Sequence, residues 1–390
     1  MLNKVLLHLL IPICATLALK QSAVVGILYG LLAFAIIMLN LRKTIRLTLS
    51  TYLIPSALIL LLISTINSVS YDSARYFLYS FFLLISFILA SILVDAPVIC
   101  NRGLFMSILG LEAIMLINLF TTGFKPGYNY ENIIDGVSSN GYTTVLVTLV
   151  CFYLINLSSW QSKEFIISAI ALYLCFFGYG RGSIVASCLI LSAFAINLIF
   201  DSLTPILNNR IKLWPILLLF SICMLASLVP LFNIQTTVET FSKIRFGAHS
   251  TNFFASLTHD ESREAMVQNY LQNLDLFSTI FGNDSPSLLF HRSFNGNPHN
   301  SFLNSHRLFG IFYMLAVITL AARHLNFKFL ERITFSRLIL VLAILFRSLS
   351  EPILFAAPLD ILIFITFFNL SSFLSSNSHP YSMYPRFYRK

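Results

Sequence analysis

One histidine, one glutamate and six arginines are the residues of this chain whose types and positions could do chemistry together. His299 stands in Asn297-Pro298-His299-Asn300. An imidazole, with an ordinary pKa of about 6.5, can take a proton from a hydroxyl at neutral pH. Arg75, Arg181, Arg263, Arg292, Arg307 and Arg347 all fall at the ends of apolar segments or in the one long polar stretch. A guanidinium is permanently charged and matches phosphate with two parallel hydrogen bonds. Such a base could accept a proton beside a phosphate that the arginines recognise. Glu351 is a second base of interest, or else an ion-pair partner of nearby Arg347. Asn300 could orient His299, and it could equally cap the helix that follows.

Arg181 is the most telling arginine, because Gly180 and Gly182 flank it and allow a sharp turn with close backbone approach. His291 and His306 lie near His299, which raises the question of a metal. No HExxH, DxD or carboxylate cluster with ligand spacing accompanies them, so neither metal nor cofactor is expected. Serine-nucleophile and phosphate-loop signatures are absent too.

These residues must be held by a membrane-embedded frame. Of 390 residues 57% are hydrophobic and 11% charged, against about 25% charged in a soluble protein. The mean hydropathy is +0.81. The net charge of +9 is read as basic residues flanking membrane spans, not as a nucleic-acid surface. Cys14, Cys100, Cys151, Cys175, Cys188 and Cys223 show no metal or redox spacing and read as inert thiols.

A spanning helix needs about 20 apolar residues. Twelve segments qualify, at 4–19, 22–40, 49–67, 76–94, 103–121, 142–157, 165–179, 182–200, 211–233, 308–323, 335–350 and 353–371. The expected fold is an all-α polytopic membrane protein. Residues 1–233 carry nine spans, 234–307 a long loop, 308–371 three more spans and 372–390 a cytoplasmic tail. With the N-terminus inside, fifteen of the 25 basic residues fall on the cytoplasmic side. That bias places both termini in the cytoplasm and the long loop outside, periplasmic in a bacterial inner membrane. Glu112 and Asp360 sit within spans, where a carboxylate is either functional or bonded to a neighbouring helix.

The long loop is patterned. Thr258 and Glu261 read as a capping box, and Met266, Val267, Tyr270, Leu271 and Leu274 follow at helical spacing. Arg263 falls within that apolar stripe, so this amphipathic helix is expected to lie along the membrane surface or to cap the bundle, with Arg263 turned inward.

The chain resembles the superfamily of bacterial O-antigen polymerases and O-antigen ligases. The resemblance rests on Gly180-Arg181-Gly182 opening a span and on Ser262-Arg263 opening an amphipathic helix. It rests also on Pro298-His299-Asn300-Ser301-Phe302-Leu303 with Gly310 beyond it. A second glycine common in that family is missing near Tyr313. What the resemblance implies is a metal-independent glycosyltransferase acting on a glycan carried by undecaprenyl pyrophosphate. Arg181 and Arg263 would hold the pyrophosphate, and His299 would assist the acceptor hydroxyl. A polymerase is the expectation, with a chain-length regulator as a further partner. A ligase delivering the glycan to lipid A–core shares every motif. A flippase or transporter, the alternative from another class, would show two related halves, and none are visible.

Overall fold

The computed structural model describes residues 2–20, 22–50, 53–122, 130–157, 159–178, 180–203, 261–294, 296–322, 335–354 and 357–366. Those residues are helical or irregular, with no strand among them. The expected span at 211–233, the tail 372–390 and Thr258 lie outside them.

Long apolar runs interrupted by short polar turns produce α1 (Leu2–Leu19), α2 (Ala23–Leu39), α4 (Leu53–Tyr71), α5 (Arg75–Leu93) and α6 (Pro97–Thr122). Pro97 occupies the first position of α6, where its missing N–H costs nothing. Helices α1, α4, α5 and α6 are each long and apolar enough to cross a bilayer. These four make the chain a helical membrane protein.

Between α2 and α4 the structure departs from the expected loop. Arg42, Lys43 and Arg46 belong to a separate helix, α3 (Leu41–Ser50). The axes of α2 and α3 meet at 89°, so the pair is either one broken span or a re-entrant loop. Asn40 makes the corner: its side chain donates to Ile36 O at 2.8 Å and pairs with Asn3. Lys43 then reaches Asp95 at 2.5 Å, tying α3 to the turn before α6.

The centre of the bundle is α7 (Ser139–Asn156), buried at nearly every position from Tyr142 to Ile155. A helix apolar all round is one that others surround. Its threonines satisfy themselves on the preceding turn, Thr144 on Asn140 O at 2.7 Å and Thr148 on Thr144 O at 2.8 Å. Around it stand α6, α8 (Ser162–Gly178), α9 (Arg181–Leu203) and α14 (Phe335–Ser350).

The second half of the long loop folds onto the bundle. It contains α10 (Glu261–Gln272), α11 (Leu276–Phe281) and α12 (Leu289–Ser293). The stripe expected in α10 is present: Met266 and Tyr270 are buried with Leu288, Phe290 and Leu303 in a small core of their own. Leu271 instead is exposed. Helix α11 begins with a reciprocal capping box between Asp275 and Ser278. It packs on α13 (Ser301–Ala322).

Helix α13 is kinked at Gly310, whose φ of 60° and ψ of −158° only glycine adopts readily. A Cβ there would collide with the carbonyl of Ile280. Asn67 of α4 donates to Phe281 O at 2.7 Å and Leu308 O at 2.6 Å, locking α11, α13 and α4 together. A last short helix, α15, covers 360–366; Asp360 accepts from Ala357 N at 3.0 Å at its start. Glu112 is buried in α6, and one of its oxygens has no hydrogen-bond partner.

Candidate functional site: a carboxylate that gathers arginine and histidine

Glu351 follows the end of α14 and is the meeting point of four elements. Its Oε1 accepts from Asn140 Nδ2 at 2.6 Å, from the first turn of α7. Arg263, from the first turn of α10, comes within 3.6 Å of the same oxygen. His299 Nδ1, from the turn before α13, is 3.4 Å from Oε2. Arg347, one turn earlier in α14, interacts electrostatically with Glu351 and is fully buried. It donates to Ser350 Oγ at 2.8 Å and to Thr144 Oγ1.

The positions follow from local sequence. Ser301 Oγ donates to Glu351 O at 2.7 Å and accepts from Ile353 N and Leu354 N at 3.0 and 3.1 Å. That one hydroxyl pins the chain after α14 against the start of α13. Asn300 caps α13, its Oδ1 accepting from Phe302 N and Leu303 N at 2.9 and 3.0 Å. Its amide donates to Leu349 O at 3.1 Å. The capping role is therefore the one the geometry displays, and Asn300 holds His299 through the backbone. His299 itself has φ of 46°, a left-handed conformation that histidine, asparagine and aspartate adopt more readily than other non-glycine residues, and one that collects at functional sites. Its N–H donates to Asn297 Oδ1 at 2.8 Å, fixing the turn.

The electrostatics give these contacts direction. Burial alone would raise the Glu351 carboxyl. The hydrogen bond from His299 and the charges of Arg347, His299 and Arg263 outweigh it and hold the group below the ordinary carboxylate value. An ionised carboxylate accepts only, so the imidazole nitrogen facing it, Nδ1, carries the hydrogen. The lone pair of neutral His299 then sits on Nε2, the arrangement a general base needs. The ring of Phe294 meets His299 edge-on at 6.0 Å.

Arg181 begins α9, and the flanking glycines explain how its backbone reaches this cluster. A Cβ at residue 180 would stand 2.8 Å from Asn140 Oδ1 and 2.5 Å from Thr143 Oγ1. A Cβ at residue 182 would fall on the Arg347 guanidinium. The turn between α8 and α9 therefore touches both flanks of Glu351.

Arg75 and Arg307 meet elsewhere, on Asp284, a carboxylate the sequence reading did not single out. Asp284 is buried. It pairs with Arg75 and lies 3.3 Å from Arg307 Nη1. His291 Nε2 at 2.6 Å and Tyr76 Oη at 2.9 Å donate to it as well. Arg307 is also bonded to Asn304 Oδ1 at 2.9 Å and stacked over Phe290. Arg292 is exposed at the end of α12. His306 belongs to a third group: its Nε2 donates to Thr279 O at 3.1 Å, which leaves Nδ1 to accept from Tyr270 Oη at 2.7 Å.

The arrangement thus brings together Arg263, His299, Glu351, Arg347 and Asn300, with the backbone of Arg181 adjoining, and places Arg75 and Arg307 in a second cluster. Asn140, Ser301 and Asp284 are the additions. Asn140 had one local signal, an Asn-Gly pair after two serines at a helix start. Asp284 had only its turn context, Gly282-Asn283-Asp284-Ser285. Among the described residues no group of three or more His, Cys, Asp or Glu side chains could hold a metal ion. No family model matches the chain, and no curated protein is significantly similar to it.

Proposed function

We propose that the chain is a lipid-linked glycan polymerase of the bacterial inner membrane. It joins oligosaccharide repeat units carried on undecaprenyl pyrophosphate at the periplasmic face. The observation that carries the reading is the convergence of Arg263 and His299 on Glu351, at 3.6 and 3.4 Å, from segments far apart in the chain. Supporting it is the resemblance to O-antigen polymerases and ligases noted above, whose motif positions coincide with these residues.

In this reading an acceptor sugar hydroxyl gives its proton to His299 Nε2 as its oxygen bonds to the anomeric carbon of the donor. The carbon–oxygen bond to the pyrophosphate breaks, and the pyrophosphate departs with the electron pair. Arg263 and Arg181 neutralise the charge that builds there, supplying without a metal the stabilisation that such a leaving group needs. Glu351 keeps the histidine in its productive tautomer and holds Arg263 in place. It is a positioning residue. Asn300 and Ser301 anchor the two chain segments that carry His299 and Glu351. The expected twelve spans, cytoplasmic termini and outward loop belong to this reading, as does a chain-length regulator as partner. Helices α10 to α12, with the turn that follows them, act as a lid that brings Arg263 and His299 to the membrane edge.

The test is the lipopolysaccharide ladder of cells carrying Arg181→Ala, Arg263→Ala or His299→Ala. Loss of polymerase leaves a single repeat on the core. Bare core with long glycan retained on the lipid carrier identifies a ligase instead. A normal ladder in all three variants overturns the site.

A further inference from the structure

A second feature lies on the opposite flank of α5 and plays no part in the chemistry above. An apolar groove of about 520 Å³ runs between α2 and α5, closed at its base by Leu17 and by Ala357-Pro358. Its volume is that of a ligand cleft, about 300–1,000 Å³. Three residues of its walls, Ile27, Leu78 and Phe81, are more than half exposed. On spanning helices such exposure means that the groove opens sideways into lipid.

Two glycines, Gly26 and Gly30, lie one turn apart on the α2 wall. A Cβ added at either would meet nothing within 4 Å. Among the described residues no neighbouring helix needs them small. Tyr29 also lines the groove.

The groove has a charged end. It begins at Ser22 and Leu78, beside Lys20 and one turn beyond Arg75. Tyr79 on its wall lies close enough to Arg75 and Arg307 to interact electrostatically with both. Those two guanidiniums share the single carboxylate of Asp284, so the cluster keeps an excess positive charge. Arg75 is 40% exposed. From Leu78 the groove extends to Ile85, seven residues of helix or about 10 Å. That lies within one leaflet, half of a hydrocarbon core of about 30 Å.

We propose that this groove holds one acyl chain of an anionic phospholipid, whose phosphate rests against Arg75. Basic pockets between spanning helices recognise lipid headgroups in this way. A groove of this length lies within one leaflet, as a phospholipid acyl chain does, and is too short for a long polyprenyl chain.

The full chain, purified in mild detergent, is mixed with phosphatidylglycerol or phosphatidylcholine of the same acyl chains, and bound lipid is counted by native mass spectrometry. Phosphatidylglycerol is expected to bind once per chain and to be preferred. Arg75→Gln should weaken it about tenfold, the loss of one charge-assisted contact, with Arg75→Lys intermediate. Gly26→Leu and Gly30→Leu enter open space, so the fold should survive while both lipids are lost. Equal binding of the two lipids, or full phosphatidylglycerol binding in both glycine variants, would overturn the proposal. So would displacement of phosphatidylglycerol by equimolar polyprenyl phosphate, or by soluble glycerol phosphate.

Discussion

Replacing Glu351 by glutamine should uncouple the site while preserving its shape. Glutamine retains an oxygen for Asn140, which donates at 2.6 Å, but loses the charge that Arg263 and His299 face. Two unit charges 3.6 Å apart interact by about 5 kcal/mol at an effective dielectric of about 20. Arg263 is 36% exposed, so solvent screening reduces the net value to about 1 kcal/mol. A double-mutant cycle of Glu351→Gln with Arg263→Ala, read by thermal unfolding in detergent, should therefore show coupling of about 1 kcal/mol. Glu351→Ala should cost more, about 3–5 kcal/mol, because it strands the Asn140 amide as well as removing the charge that faces buried Arg347. The pH dependence has a definite sign. The Glu351 pKa is lowered by folding from an ordinary 4.5. Its contribution is complete above that value and is lost as the pH falls through the folded pKa. The stability gap between wild type and Glu351→Gln should thus be constant above about pH 5 and close in acid. Additive single effects, or a gap that widens in acid, would refute the assignment of Glu351 as the shared counter-ion.

Three further changes probe the frame. Gly310→Ala forces a side chain into a glycine-only backbone conformation against the Ile280 carbonyl, and should lower unfolding stability by about 3 kcal/mol or more. Asn67→Leu strands the carbonyls of Phe281 and Leu308 and should cost about 2–3 kcal/mol, detaching α11 from α13 in hydrogen exchange. Burial lowers the His306 pKa from 6.5, so folding favours the neutral ring. Stability should drop as the pH falls below about 6.5, and His306→Gln should flatten that limb of the profile.

The helices were legible because apolar runs and their 3.6-residue period survive in any context. The α10 stripe is an example: Met266 and Tyr270 are buried, and Arg263, in the same stripe, turns inward to Glu351. Basic residues at 42–46 were read as a topology signal, which hid the amphipathic helix they form. The pairing of charges was not legible. Arg75 and Asp284 are 209 residues apart, and Asn140 and Glu351 are 211 apart. A sequence shows what each residue can bond, while its partner is chosen by packing. Gly310 could be seen as a helix-interior glycine, but the kink it permits depends on how closely α11 approaches.

The proposed activity is transfer of a glycan from undecaprenyl pyrophosphate by Arg263 and His299. The direct measurement places the purified full chain in lipid nanodiscs with an undecaprenyl-pyrophosphate-linked repeat unit and a metal chelator, and follows products by mass spectrometry. Glycans lengthened by whole repeats are expected, with one undecaprenyl pyrophosphate released per bond and loss of both products in His299→Ala and Arg263→Ala. Intact substrate with wild-type protein, or undiminished products from both variants, would contradict it.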